Sequence, residues 1–225
     1  MLQLKICVSV MERTVQRTLK VLEKLEQYDP DLFEIRLDLM KGTSSLAAIR
    51  QSTNRPIIAT IRRTVDGGFF RGTEAARLEA LIQATEAGFD YIDVELNTKK
   101  VGESARRFQK EGARAIVSYH NMKTTPGTTV LESILNREKR AGADVCKIVT
   151  TARKASDSLR CLAFVNEQAR NAKLVCFAMG RLGAPSRILS PVFGAYFTFA
   201  SSAIGKETAS GQVPISELRA LYRTF

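Results

Sequence analysis

Eight strand-like runs alternating with eight helical ones predict a (β/α)8 barrel, a parallel eight-stranded barrel ringed by helices, over residues 1–225. Three observations carry the prediction. The first is the count, which at 225 residues is that of a barrel. The second is punctuation: Ala87-Gly88 and Ala141-Gly142 each stop a helix just before a strand, as capping chemistry requires. The third is a period of two inside the strands. A parallel strand covered on both faces should read as one apolar run, yet here charges alternate with apolar residues.

Taken in order, residues 4–10 form the first strand; the segment lacks the long apolar stretch and cleavage site of a signal peptide. A helix over 12–27 follows. The second strand, 32–39, contains Phe33-Glu34-Ile35-Arg36-Leu37-Asp38-Leu39, whose apolar side packs on helices and whose charges must face the lumen. Helix 44–51 leads to strand 56–62, which ends in Thr60-Ile61-Arg62. Helix 73–87 precedes strand 91–96, where Asp93 and Glu95 repeat the inward alternation. Helix 98–110 leads to strand 114–120, ending in Ser118-Tyr119-His120. Helix 128–140, strand 145–150, helix 155–170 and strand 173–179 follow. Helix 185–190, strand 195–200 and helix 214–222 complete the set. A doubly wound sheet would carry a glycine-rich phosphate turn after its first strand, and Val8-Ser9-Val10-Met11-Glu12 has none.

Composition narrows the function classes. Hydrophobic content of 44% with only 6 prolines describes a fully folded chain, and no apolar stretch approaches the ~20 residues of a membrane span. The four cysteines, Cys7, Cys146, Cys161 and Cys176, have neither CxxC nor metal spacing, so no metal is expected and a reducing cytoplasm fits. The net charge of +11 raises the question of nucleic acid. The basic residues are scattered over predicted helix faces and no nucleic-acid-binding signature is present. The charge is therefore assigned to solvated surface, with a field that favours an anionic small molecule.

The chemistry centres on Lys147, which interrupts the apolar run Val145-Cys146-Lys147-Ile148-Val149. An exposed lysine is about 0.04% neutral amine at pH 7, and burial that drew its pKa towards ~7 would raise that fraction about a thousandfold. The plainer alternative is a core lysine paired with a carboxylate. The chain's only histidine, His120, ends the preceding strand, and one strand–helix–strand unit makes the two strands parallel neighbours. Ser9, Arg36, Arg62, Glu95, His120, Lys147 and Met179 all lie near carboxyl ends of strands, the face where barrel enzymes place their chemistry. Three loops there could close over a ligand: Arg62 to Gly68, Met179 to Arg187, whose arginine suits a carboxylate or phosphate, and Ile204 to Gln212.

Taken together, Glu34-Ile35-Arg36-Leu37-Asp38, Thr60-Ile61-Arg62 with Gly67-Gly68, Ser118-Tyr119-His120, Lys147, Met179-Gly180 with Ser186-Arg187, and Ala209-Ser210-Gly211-Gln212 resemble the type I 3-dehydroquinate dehydratases. The likeness runs in order from Ser9 to Gln212. It implies that Lys147 forms a Schiff base with the ketone of 3-dehydroquinate and that His120 serves as acid and base. The water would then leave by syn elimination, within the shikimate pathway of aromatic amino acid biosynthesis. It also implies that Glu34, Arg36 and Arg62 bind ring hydroxyls with Ser9 nearby. Arg187 and Gln212 would hold the carboxylate, with Thr208 at the same end. Asp66 would orient the histidine and Met179 would pack on the ring. An iminium is itself an electron sink, so no cofactor is expected. Barrels of this kind usually pair, so a homodimer is expected; neither membrane nor nucleic-acid partners are. Thr208 stands where serine is usual and Ser210 where proline is usual, which bears on lid stiffness. With the sequence ending at Phe225, no fused shikimate dehydrogenase is expected. The alternatives are another class I Schiff-base lyase, such as an aldolase, which would need a phosphate cradle, and a basic binding protein on a vestigial barrel.

Overall fold

The computed structural model describes residues 4–40, 42 and 45–225. Eight parallel strands form a nearly closed barrel inside a ring of helices. In chain order these are β1 (Ile6–Val10), α1 (Val15–Leu25), β2 (Leu32–Arg36), α2 (Leu46–Gln51), β3 (Ile57–Thr60), α3 (Glu74–Glu86), β4 (Tyr91–Glu95) and α4 (Val101–Lys110). There follow β5 (Arg114–His120), α5 (Thr128–Arg140), β6 (Val145–Thr151), α6 (Ala155–Gln168), β7 (Leu174–Met179), α7 (Ala184–Leu189), β8 (Thr198–Ser201) and α8 (Ile215–Tyr222). The start expected for α2 at Ser44 lies outside the described residues.

Local chemistry explains the boundaries. Thr14 and Thr73 cap α1 and α3 by accepting hydrogen bonds from the Arg17 and Ala76 N–H groups at 3.3 and 3.2 Å. Gly142, which follows α5, takes φ +83°, a left-handed turn that costs a residue without Cβ nothing. One expectation is corrected: the second strand ends at Arg36. Leu37–Leu39 form a 3-10 turn, so Asp38 is not a lumen strand residue. That turn brings Asp38 back onto Arg36, which donates to it from Nε at 2.8 Å and from Nη2 at 2.7 Å.

The alternation seen in the sequence sorts the barrel interior into layers. Cys7, Leu32, Ile58, Tyr91, Ile116, Val145, Val175 and Phe197 close the amino-terminal end as an apolar floor. Two residues further along, six strands change character, to Ser9, Glu34, Thr60, Asp93, Ser118 and Lys147, all buried, while β7 and β8 present Phe177 and Phe199. The outward residues, such as Val8, Phe33, Ile35, Ile92 and Val94, join the helices in the main core. The floor thus seals the lumen from below and leaves polar groups facing up.

Below the floor runs a repeated clasp. Asp31, Asp90 and Asp144 each donate their backbone N–H to the carbonyl of Ile6, Ile57 and Ala115 respectively, at 3.1, 3.0 and 2.9 Å. Each carboxylate then accepts the N–H of that same residue at 2.8 Å. The clasps join β1 to β2, β3 to β4 and β5 to β6. In the fourth unit Tyr196 makes the backbone bond, to the Leu174 carbonyl at 2.8 Å, and has no carboxylate to return. It is between β7 and β8 that the hydrogen-bonded sheet order breaks.

Candidate active site

The layered lumen opens upward into a cavity of about 420 Å³ at the carboxyl ends of the strands. The eleven residues to which the resemblance gives a role all line it, Ser9, Glu34, Arg36, Arg62, Asp66, His120, Lys147, Met179, Arg187, Thr208 and Gln212, whereas Glu95, also placed at this rim by the sequence, does not. Phe177, Phe199, Met122, Val149 and Thr151 also line it. Sequence reasoning passed over the two phenylalanines, because β7 is apolar on both faces and β8 carries a hydroxyl on each, so nothing marks which residues look inward.

Lys147 sits mid-strand on β6 with 4% of its surface exposed. Its Nζ lies 2.8 Å from Asp93 Oδ2, 3.5 Å from Glu34 Oε1 and 4.3 Å above the centre of the Phe199 ring. The two sequence readings, core ion pair and cavity lysine, therefore coincide in one residue. Glu34 is tied down further by the Ser9 and Thr60 hydroxyls, which donate at 2.7 and 2.9 Å. Burial works against its charge, but Lys147 and Arg36 outweigh burial and hold its pKa below the usual carboxylate value. Asp93 is likewise held well below that value, with Arg62 and Lys147 overcoming burial.

His120 lies on β5 in parallel register with β6, where Ser118 pairs with Lys147 and His120 with Val149. The lysine and histidine therefore face the same cavity one residue pair apart. Burial, with Arg62 and Lys147 as neighbours, pushes the His120 pKa well below 6.5, so the ring is neutral at pH 7. Its Nδ1 is buried with no partner among the described residues. The Asp66 carboxylate is engaged by Arg63, whose Nε donates to it at 2.8 Å.

Arg62 stands just past β3 and spends its guanidinium on protein groups: Asp93 at 2.9 Å, Glu95 at 2.9 Å and Ser118 at 2.9 Å. Arg187 differs. Buried on α7, it stacks 4.1 Å above the Phe177 ring, and its Nε has no partner. Among the described cavity cations it alone has no carboxylate within ion-pair distance. Burial without a counter-ion draws its pKa down to about 9. Arg187 Nη2 reaches the Ser210 carbonyl at 3.4 Å, tying α7 to the loop before α8. That loop is folded by Gln212, whose Oε1 accepts the Thr208 N–H at 2.6 Å, and whose amide reaches Ser9 Oγ at 3.4 Å. Gly211, at φ +80°, packs so closely that a Cβ would lie 2.6 Å from the Gly180 carbonyl oxygen.

A barrel with a charged, lysine-bearing pocket at this rim belongs to the enzymes of small-molecule chemistry. A family model described as type I 3-dehydroquinase matches residues 6–225. The chain is 35% identical over 219 residues to a 3-dehydroquinate dehydratase of Dehalococcoides mccartyi, covering 97% of this chain and 95% of that one. It is 33% identical to another from Desulfotalea psychrophila, covering 98% of each. The crystal structure of 3-dehydroquinate dehydratase from Geobacillus kaustophilus superposes with a TM-score of 0.88 at 26% identity, covering 99% of this chain and 92% of that one. The chain belongs to the type I 3-dehydroquinase family, hydro-lyases of the shikimate pathway. Among the described residues no helix is long and apolar enough to cross a membrane.

Proposed function

We propose that this chain converts 3-dehydroquinate to 3-dehydroshikimate by syn elimination of water through a Schiff base on Lys147. The amine adds to the substrate ketone and water departs, leaving an iminium. The iminium acidifies the adjacent carbon, and neutral His120 takes its proton. The same imidazolium returns that proton to the departing ring hydroxyl, which leaves as water. Hydrolysis of the imine consumes one water and restores the lysine, so the net change is loss of one water. One histidine acting on one ring face suits a syn course.

The observation that carries this reading is the placement of Lys147 and His120 on adjacent parallel strands, facing one cavity with a buried, unpaired arginine. The substrate carboxylate is the counter-ion that Arg187 lacks, and a bidentate pair there would fix the ring. Glu34, Ser9, Arg36 and Gln212 offer acceptors and donors for ring hydroxyls, with Thr208 beside them and Met179 against the ring. Asp66 supports the mouth through Arg63. Arg62 is so fully engaged that its part in this reading is to hold Asp93 and Glu95. An aldolase reading lacks support, since family membership assigns a hydro-lyase.

The test is mass spectrometry after borohydride reduction in the presence of 3-dehydroquinate. One reduced adduct mapping to Lys147 is expected, and Lys147→Ala should abolish both adduct and turnover. Turnover without any adduct, or a variant retaining more than about a tenth of the rate, would sink the Schiff base, because losing it should cost several kcal/mol of barrier.

A further inference from the structure

A chain of alternating charge leads from the solvent side of α3 to the reactive lysine. Glu74 Oε1 meets Arg77 Nη2 at 2.7 Å, and Arg77 Nη1 lies 2.6 Å from Glu95 Oε2, an ion pair without hydrogen-bond alignment that is nonetheless the only cation on that buried oxygen among the described residues. Glu95 Oε1 meets Arg62 Nη1 at 2.9 Å, and Arg62 Nη2 meets Asp93 Oδ2 at 2.9 Å. That same Asp93 oxygen holds Lys147 Nζ at 2.8 Å. Arg77 is the unusual member. It sits on a helix outside the barrel, yet has no exposed surface and does not line the cavity. It also donates to Thr98 Oγ1 at 2.9 Å and to the Ile61 carbonyl at 3.3 Å. These contacts reach the residue before Arg62 and the turn after Glu95, so the guanidinium is fixed from several directions.

Resting on the reading of Lys147 as the imine-forming residue, we propose that Arg77 is a positioning residue. It holds Glu95, and through it Arg62, so that Asp93 keeps a cation when Lys147 leaves it for the substrate. To attack a ketone, Lys147 must give up its ion pair, and a buried carboxylate deserted by its partner is costly. Asp93 is spared that state because Arg62 stays on Oδ2 while the Ser118 hydroxyl donates to Oδ1 at 2.6 Å. Arg62 is shared between Asp93 and Glu95. With Arg77 present, Glu95 has a second cation and leaves Arg62 free to serve Asp93. Without Arg77, Glu95 claims Arg62, Asp93 comes to depend on Lys147, and the lysine is held in its paired state.

The test measures the rate of borohydride-trapped imine formation in single turnover, together with kcat, KM and melting temperature. Arg77→Met should slow trapping and kcat roughly tenfold, near the upper range for residues that touch no ligand, with KM moving less than about threefold. Arg77→Lys, which keeps charge but not the fork, should recover part of the trapping rate. Arg50→Met, which removes an ion pair to Asp90 at the barrel floor, is the matched control and should lower melting temperature alone. If Arg77→Met does not fold, Arg77→Gln carries the same expectation, since it keeps an amide donor for the Ile61 carbonyl and Thr98 while removing the positive charge beside Glu95. Trapping at the wild-type rate in a folded variant overturns the proposal. So does a loss confined to KM. Failure of the Schiff-base reading itself is told apart, because the wild type would then give no adduct.

Discussion

His120 answers to pH through its neighbours rather than through its own chemistry. Burial and the charges of Arg62 and Lys147 lower its pKa in the folded state. A depressed pKa contributes stability above the unfolded value of about 6.5, and that stability is lost as pH falls through the folded value. On the proposed mechanism the same sign governs catalysis, because His120 as the base would be neutral until well below 6.5. The acid limb of kcat/KM should therefore lie below pH 6.5, and a pH–rate profile would show it. An acid limb at or above 6.5 would mean that the histidine does not sit among these cations during turnover. At this scale the sequence was most legible where a polar residue breaks a strand pattern: Lys147, His120, Glu34 and Arg36 all announce themselves that way. Arg77 does not. An arginine on a helix reads as solvated surface until the fold shows Glu95 waiting for it.

At the scale of the element, α5 carries a second buried charge that the sequence also hid. Glu138 has no exposed surface, and neither carboxyl oxygen has a hydrogen-bond partner among the described residues. Burial, with Asp93 as a like charge, raises its pKa well above 4.5. The sign is opposite to that of His120: the stability it contributes is full below pH 4.5 and is lost as pH rises through the folded pKa. Glu138→Gln should therefore be more stable than the parent at neutral pH and nearly equal to it near pH 4. A regained kcal/mol would raise Tm by roughly 2–4 °C in a chain of this size. Equal melting curves at pH 7 would show that the carboxyl is satisfied in solution. Elements themselves were legible where apolar patterning and stops agree, as at β5, found at residues 114–120. The second strand overran because Leu37 and Leu39 continue its alternation, while the backbone turns at Asp38 to meet Arg36 and the Phe69 N–H. The start of β8 falls later than the patterning suggests, for a similar reason. Ala195 to Phe197 look strand-like, but they only lead into Thr198.

Across the whole molecule, the three aspartate clasps divide the barrel into three secured strand pairs and one unsecured pair. The consequence concerns motion. A protein opens locally where backbone hydrogen bonds are fewest, and the gap between β7 and β8 is that place. Amide hydrogen exchange should be fastest at the facing edges of these two strands and slowest across β2 to β5. Uniform protection around the barrel would refute this. Replacing the odd member, Tyr196→Asp, would restore the missing carboxylate beside Lys5 and Lys173, both now near the Tyr196 ring. Exchange along the gap should slow, by about the 0.5–1.5 kcal/mol of one hydrogen bond. Arg187 on α7 and the loop that Gln212 folds both hang from the strands bordering this gap, whereas Lys147, Asp93 and Arg62 lie on the secured side. If the cavity holds an acid as proposed, a barrel that breathes along this line loosens its grip on that acid without disturbing the ion pairs beneath Lys147, so release is fast where the reacting side stays rigid.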